Sequence, residues 1–268
     1  MELTALCHGI RLQEEARRAA LDFWRSADRD RLAPALDLLR HMDTEAQGRA
    51  LLKELLGEDR RQYKLLACML SCGADLYSWY GERGIPDQIY FATMGCFPRF
   101  LEECRQITGV PAFDRGWWTA RQISGTLFRL GELEYELRTG DGGPWISIHI
   151  PSDAALTPDR CGRSLDWARS FFADRFPAWA GRPYLCRSWL LAPELRELLP
   201  PESRILAFQR RFRLEGTETG DREYMRWIFR RDPAASLADL PEDTTLQRNL
   251  KRRLLEGGGL SVGRGVLA

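Results

Sequence analysis

Residues Trp145-Ile-Ser-Ile-His-Ile-Pro151 alternate apolar and polar positions, stop on a proline, and lead through a polar loop into Ser164-Leu-Asp-Trp-Ala-Arg-Ser-Phe-Phe172, which has helical spacing. Period-two alternation marks a strand, and it puts Ile146, Ile148 and Ile150 on one face and Ser147 and His149 on the other. The isoleucine face belongs to a core. The Ser147 and His149 face must therefore look toward solvent, a cleft or another part of the chain. Within the loop, Thr157-Pro-Asp159 is a helix start, with threonine as cap and proline at the first helical position.

Working outward, Ile123 to Arg129 and Leu133 to Arg138 are predicted as two strands around Leu130-Gly-Glu132, because the alternation slips phase at the glycine. Asp141-Gly-Gly-Pro144 is a predicted turn. Downstream come a strand over Tyr184 to Leu191 and a short helix from Pro193 to Leu199. Phe208 to Glu215 and Glu223 to Arg230, joined by Gly216-Thr-Glu-Thr-Gly220, are predicted as a second hairpin. A helix follows Leu240-Pro241, with the capping box Thr244-Thr-Leu-Gln247, the apolar positions Leu246, Leu250 and Leu254, and Gly257 as its stop. The tail from Leu260 to Leu267 can add a last strand.

Upstream, residues 11 to 107 show helical spacing throughout. Leu32, Leu36 and Leu39, then Leu51, Leu52, Leu55 and Leu56, mark two amphipathic helices, the second with Thr44 as cap. A longer helix covers Arg60 to Tyr80. The next pattern contains Pro98, which should kink or divide it. Thr108-Gly-Val-Pro-Ala-Phe-Asp114 is the expected linker, being Gly and Pro bearing where the periodicity changes. The fold class is therefore α+β, an all-α helical bundle over 1–112 followed by a mixed-sheet α/β domain over 113–268.

Bulk composition excludes more than it selects. Lys plus Arg at 39 against Asp plus Glu at 38 gives a net charge of +1, so nothing draws the chain as a whole to nucleic acid or an anionic membrane. No apolar run approaches the ~18 residues of a membrane span. Met1 to Cys7 lacks the basic and apolar segments of a signal peptide, so a soluble cytoplasmic protein is expected. Seven cysteines without a secretory signal are read as reduced thiols. Cys68 and Cys72 stand four apart, but no other Cys or His pair has metal-ligand spacing, so no metal is expected. Gly257 to Gly265 is glycine-rich without the Lys-Ser/Thr of a phosphate loop or a following helix, which leaves it as a tail that could close over a site.

The order hairpin, strand, helix, strand, helix, hairpin is that of the GNAT acyltransferase core. Phe113-Asp-Arg-Gly-Trp-Trp118, Phe128-Arg-Leu-Gly131 with Leu133-Glu-Tyr-Glu136, His149-Ile-Pro-Ser-Asp153, Ser188-Trp-Leu-Leu191 with Leu198-Leu-Pro200, and Leu240-Pro-Glu-Asp-Thr244 with Leu246-Gln-Arg248 resemble a family of bacterial two-domain acyltransferase-like proteins with a helical N-terminal domain and a GNAT-like C-terminal domain. The resemblance implies that acetyl-CoA or another acyl-CoA is bound as substrate. It implies that the strands over Trp145 to Ile150 and Tyr184 to Leu191 splay around the thioester, and that the pyrophosphate meets amides between Ser152 and Ser164. Helix N-termini present unpaired N–H groups to anions, which makes that placement physically reasonable. Ile150, Ser152, Arg160, Gly162, Arg163 and Ser164 are the candidate donor-binding residues. The usual Arg/Gln-x-x-Gly-x-Gly/Ala loop is absent, and Asp159 in the first turn would compete with a pyrophosphate, so the loop either binds coenzyme A or only caps a helix.

Acyl transfer to an amine needs a base for the nucleophile and donors for the oxyanion and the leaving thiolate. His149 is the candidate base; its alternative is a structural imidazole. Ser188 is a candidate proton source or carbonyl ligand; its alternative is a small residue on a strand. Glu134, which shares a strand face with Glu136, is a candidate carboxylate acting through water; its alternative is an exposed charge. A separate possibility makes Cys186 a nucleophile activated by His149. Two functions compete: an acyl-CoA-dependent acyltransferase acting on an amine, its acceptor site covered or shaped by the helical domain, or a GNAT-shaped binding or regulatory protein without turnover.

Overall fold

A computed structural model of the chain describes residues 1–140 and 142–268; Asp141, in the predicted turn, lies outside the described residues. The chain divides into two compact units, Met1–Arg129 and Leu130–Ala268.

The first unit is helical. Its helices are α1 (Leu3–Gly9), α2 (Glu14–Ser26), α3 (Arg29–Leu39), α4 (Glu45–Leu56), α5 (Tyr63–Glu82), α6 (Asp87–Met94), α7 (Cys96–Thr108) and α8 (Gly116–Ile123). Leu66 to Ala74 of α5 are all buried, which explains why α5 is the central helix against which α1, α2, α3, α4, α6 and α8 pack. The expected break near Pro98 falls at Gly95, and Pro98 sits in the first turn of α7, where its missing N–H costs nothing. Thr44 precedes α4 as expected, but its hydroxyl donates to Leu38 O (2.8 Å) and does not cap.

The segment 108–114 is not a linker. Gly109 takes φ +80° as the cap of α7, Phe113 N–H donates to Arg61 O (2.9 Å), and Tyr63 Oη donates to Pro111 O (3.2 Å). Glycine there ends a helix; it does not separate domains. Residues 113–129, assigned above to the second domain, thus lie in the first unit.

The second unit is built on a mixed six-stranded sheet. The strands are β1 (Leu127–Leu130), which crosses the boundary of the two units, and within the second unit β2 (Leu133–Gly140), β3 (Gly143–His149), β4 (Tyr184–Ser188), β5 (Phe212–Glu218) and β6 (Val262–Leu267), in the spatial order β1-β2-β3-β4-β6-β5. β3 and β4 are parallel, and the other pairings described, β2 with β3 and β6 with β4 and β5, are antiparallel. The parallel pair is connected through α9 (Pro158–Arg175), as a crossover requires. Tyr135, Ile146, Ile148, Tyr184 and Cys186 share one sheet face by register and are buried, and Phe172 of α9 meets Tyr135 with ring centroids 6.2 Å apart. The remaining helices are α10 (Leu195–Leu198), α11 (Arg204–Gln209) and α12 (Thr245–Leu255). The capping box of Thr244 and Gln247 forms as expected, and Leu246, Leu250 and Leu254 of α12 pack with Leu195, Met225 and Phe229.

Three expectations are corrected. The first strand starts at Leu127, since Gly116–Ile123 is helix. The second hairpin does not exist: β5 pairs with β6, and Met225–Phe229 forms a π-helical turn buried against α12. The glycine-rich tail is not a lid, because β6 lies inside the sheet between β4 and β5. Glycine is required there by close approach, since a Cβ on Gly263 would stand 2.4 Å from Leu191 O.

Candidate active site

The antiparallel register of β2 and β3 places Glu134 opposite His149 and Glu136 opposite Ser147, so all four residues project from one sheet face. Glu134 and Glu136 are only 2% and 3% exposed, which rules out the solvent-face alternative for both. A buried carboxylate needs partners. Glu136 has them: its Oε2 lies 2.8 Å from His149 Nε2, and Arg138 donates to its Oε1 at 3.0 Å. The His149 side chain keeps 19% of its surface exposed, which leaves the imidazole reachable from solvent. Glu136 thus joins Glu134, the residue singled out from the sequence, on the His149 face, and it is Glu136 that reaches the imidazole nitrogen Nε2.

The pairing of β3 with β4 covers only Ile146 to Ile148 against Tyr184 to Cys186. β4 continues to Ser188 paired with β6 on its other side, and β3 continues to His149. The sheet therefore opens between the two parallel strands beside His149. Backbone groups facing such an opening can hydrogen-bond an extended ligand as a strand would.

Cys186 and Ser188 lie away from that imidazole. Cys186 pairs with Ile148 in register, on the face opposite His149, and is fully buried. Burial pushes its thiol up to about 12. Nucleophilic activation of Cys186 by His149 is thereby excluded. Ser188, two residues on in extended conformation, shares the Cys186 face, and its hydroxyl accepts from Leu190 N–H (3.1 Å) to cap a short 3-10 turn.

The candidate donor loop runs from Ile150 to Thr157. Pro151 O accepts from Ala154 N–H (3.0 Å), which places Ser152 inside a tight turn, and Leu156 adopts φ +52°. The anchor of this loop is Glu132, 4% exposed in the β1–β2 turn, which accepts from Ala155 N–H and pairs with Arg160 Nε at 2.6 Å. Thr157 caps α9 by accepting from Arg160 N–H, and Pro158 has no N–H to offer. Arg163 pairs at 2.5 Å with Asp159, one turn back in the exposed first turn of α9. Both candidate arginines are thus engaged with carboxylates. Gly162 lies not in the loop but on α9, lining a cleft with Leu165, Asp166, Arg169 and Arg211; Arg211 donates to Pro158 O at 2.6 Å.

Ser164 is corrected from loop ligand to structural pin. It is 2% exposed, and its hydroxyl donates to Leu130 O (2.5 Å), accepts from Leu133 N–H (3.2 Å) and meets Tyr135 Oη at 2.9 Å. Those bonds use its full capacity and tie α9 to the first hairpin. Among the described residues no group of His, Cys, Asp and Glu could hold a metal ion, and no helix is long and apolar enough to cross a membrane.

No curated protein sequence matches the chain. Its fold is shared with solved acyltransferases. A crystal structure of an acyltransferase in complex with decanoyl-CoA and teicoplanin superposes with a TM-score of 0.81 at 24% identity, covering 98% of this chain and 86% of that one. Another, of an acyltransferase in complex with decanoyl-CoA, gives 0.80 at 25% identity over the same shares. Residues 1–125 match the N-acyltransferase N-terminal domain, and residues 127–267 match the GNAT-like C-terminal domain. With that second match spanning over half its length, the chain belongs to the acyltransferase family defined by the GNAT-like C-terminal domain.

Proposed function

We propose that this protein is an acyl-CoA-dependent N-acyltransferase that transfers the acyl group directly to an amine. The observation that carries the reading is the opening between β3 and β4 with the His149 and Glu136 pair at its mouth. An extended thioester arm fits between strands that part, and a base at that point stands where an amine would attack. Acyl-CoA complexes of acyltransferases with the same fold support the donor, decanoyl-CoA among them. Teicoplanin, bound in one of them, is the first acceptor to test.

In this mechanism the amine nitrogen attacks the thioester carbonyl carbon. His149 takes the proton that the nitrogen loses, the C–S bond breaks, and the imidazolium returns the proton to the coenzyme A thiolate. The products are an amide and free coenzyme A. We assign Ser188 no step here, since it shares the Cys186 face of β4, opposite the face of His149. The pyrophosphate would meet the turn from Pro151 to Ala154 and the exposed parts of Arg160 and Arg163. Seven buried, unbridged cysteines are in keeping with a reducing compartment, and we place the activity in the cytoplasm.

The test is release of free thiol from acetyl-, octanoyl- and decanoyl-CoA with teicoplanin as acceptor, with mass-spectrometric detection of the amide. Turnover that His149→Ala lowers by about 10²-fold or more, with donor affinity kept, is the expected result. Tight acyl-CoA binding with no amide formed from any amine offered would favour the binding-protein alternative.

A further inference from the structure

Resting on the acyltransferase reading, we infer that Glu136, braced by Arg138, fixes the tautomer of His149 so that Nδ1 is the atom that takes the proton from the amine. The geometry gives each part a reason. A carboxylate only accepts hydrogen bonds, so a neutral imidazole whose Nε2 lies 2.8 Å from Glu136 Oε2 must carry its proton on that nitrogen. The ring nitrogen that is protonated is set by the bond the other makes, and the lone pair then resides on Nδ1. Arg138 donates to the second oxygen, Oε1, at 3.0 Å, so the carboxylate is held from both sides in one orientation. The side chain of Glu136 is 4% exposed, and that burial keeps water from replacing the imidazole as partner.

The strand register makes the arrangement specific. Glu136 is opposite Ser147, one pleat along from the Glu134 and His149 pair, so its side chain reaches diagonally across the ladder to the imidazole. During reaction Nδ1 gains the amine proton, the ring becomes an imidazolium with a proton on each nitrogen, and Glu136 balances its charge. Departure of the thiolate returns that proton from Nδ1 to sulfur, and the Nε2 proton stays on the ring throughout, hydrogen-bonded to the carboxylate. Glu136 is therefore a positioning residue acting through His149.

The experiment is nitrogen-detected NMR of histidine-labelled full-length protein at a pH above the imidazole titration, with the His149 signals assigned by their loss in His149→Gln. The expected wild-type spectrum has a protonated Nε2 and an unprotonated Nδ1, with the Nε2 proton resolved and slow to exchange. In Glu136→Ala that proton should broaden into solvent exchange and the tautomers should mix. In parallel, kcat should fall by about 10²-fold in Glu136→Ala with the KM for acyl-CoA unchanged, and Glu136→Gln, which can still accept from Nε2–H, should recover part of it. A wild-type His149 protonated on Nδ1, or a Glu136→Ala spectrum identical to wild type, overturns the assignment. The NMR result stands without turnover, so the tautomer can fail while the transferase holds, and the reverse.

Discussion

Replacing Glu132 should loosen the donor loop and weaken acyl-CoA binding together. Its carboxylate accepts the Ala155 N–H and pairs with Arg160, whose side chain is 57% exposed. In Glu132→Ala the Ala155 N–H loses its acceptor, at a cost of about 1–3 kcal/mol if it stays unsatisfied. Ala155 is only half-buried, so water recovers part of this and the lower half of the range applies. The ion pair adds at most about 1 kcal/mol, since Arg160 can turn to solvent. The expected loss is about 2 kcal/mol in urea unfolding, and a similar penalty carried into donor binding is roughly thirty-fold in Kd. Glu132→Gln keeps an acceptor for Ala155 and should lose less than half as much. The assays are urea denaturation and calorimetric titration with decanoyl-CoA, with a double-mutant cycle against Arg160→Ala to isolate the pair. Stability within 0.5 kcal/mol of wild type, taking ~0.5 as the usual scale of surface substitutions, together with an unchanged Kd, would refute the reasoning. A coupling to Arg160 well above ~1 kcal/mol would refute the partition between amide and ion pair.

Further outcomes follow from the same structure. Gly263→Ala brings a Cβ to 2.4 Å from Leu191 O, so β6 must move against a fixed carbonyl; a loss of about 1–3 kcal/mol in urea unfolding is expected. Cys186, with its thiol pushed up to about 12 by burial, should resist iodoacetamide in the native protein at neutral pH and react in urea, as read by peptide mass spectrometry; native alkylation at a stoichiometric level would contradict its placement. Thr244→Ala removes the cap of α12 and should cost about 1 kcal/mol, measurable as a lower urea midpoint.

Much of this site was legible because alternation is a local rule. The Ile146 and Ile148 core face, the polar face with Ser147 and His149, and the shared face of Glu134 and Glu136 all follow from period two. Burial of the two glutamates was not legible, since a charge on an alternating strand has solvent as its default surroundings. Nor was the Glu136 and His149 contact, which needs the register of β2 against β3. The false second hairpin has a similar cause. Phe212–Glu218 carries a strand pattern, but its partner is β6, some 45 residues on, and no local signal selects a non-local partner. Tyr224-Met-Arg-Trp-Ile-Phe229 is aromatic and apolar enough for a strand, yet it packs as a helical turn on α12, an ambiguity inherent in short apolar runs.

The first hairpin emerges as the organising element of the site, through residues that alternate in role as they alternate in direction. Glu132 in its turn holds the donor loop at Ala155. Tyr135 faces the core and, with Leu130 and Leu133, grips Ser164 of α9, which sets where the helix after that loop begins. Glu136 faces the other way and holds His149. A chain without the glycine-rich loop common in this superfamily can therefore keep loop, helix start and imidazole in fixed relation, because one two-stranded element binds all three. This accounts for a helix start crowded by Thr157, Pro158 and Asp159. With the loop shaped from behind by a buried carboxylate, its conformation does not depend on glycines, and non-glycine Leu156 can be held at positive φ.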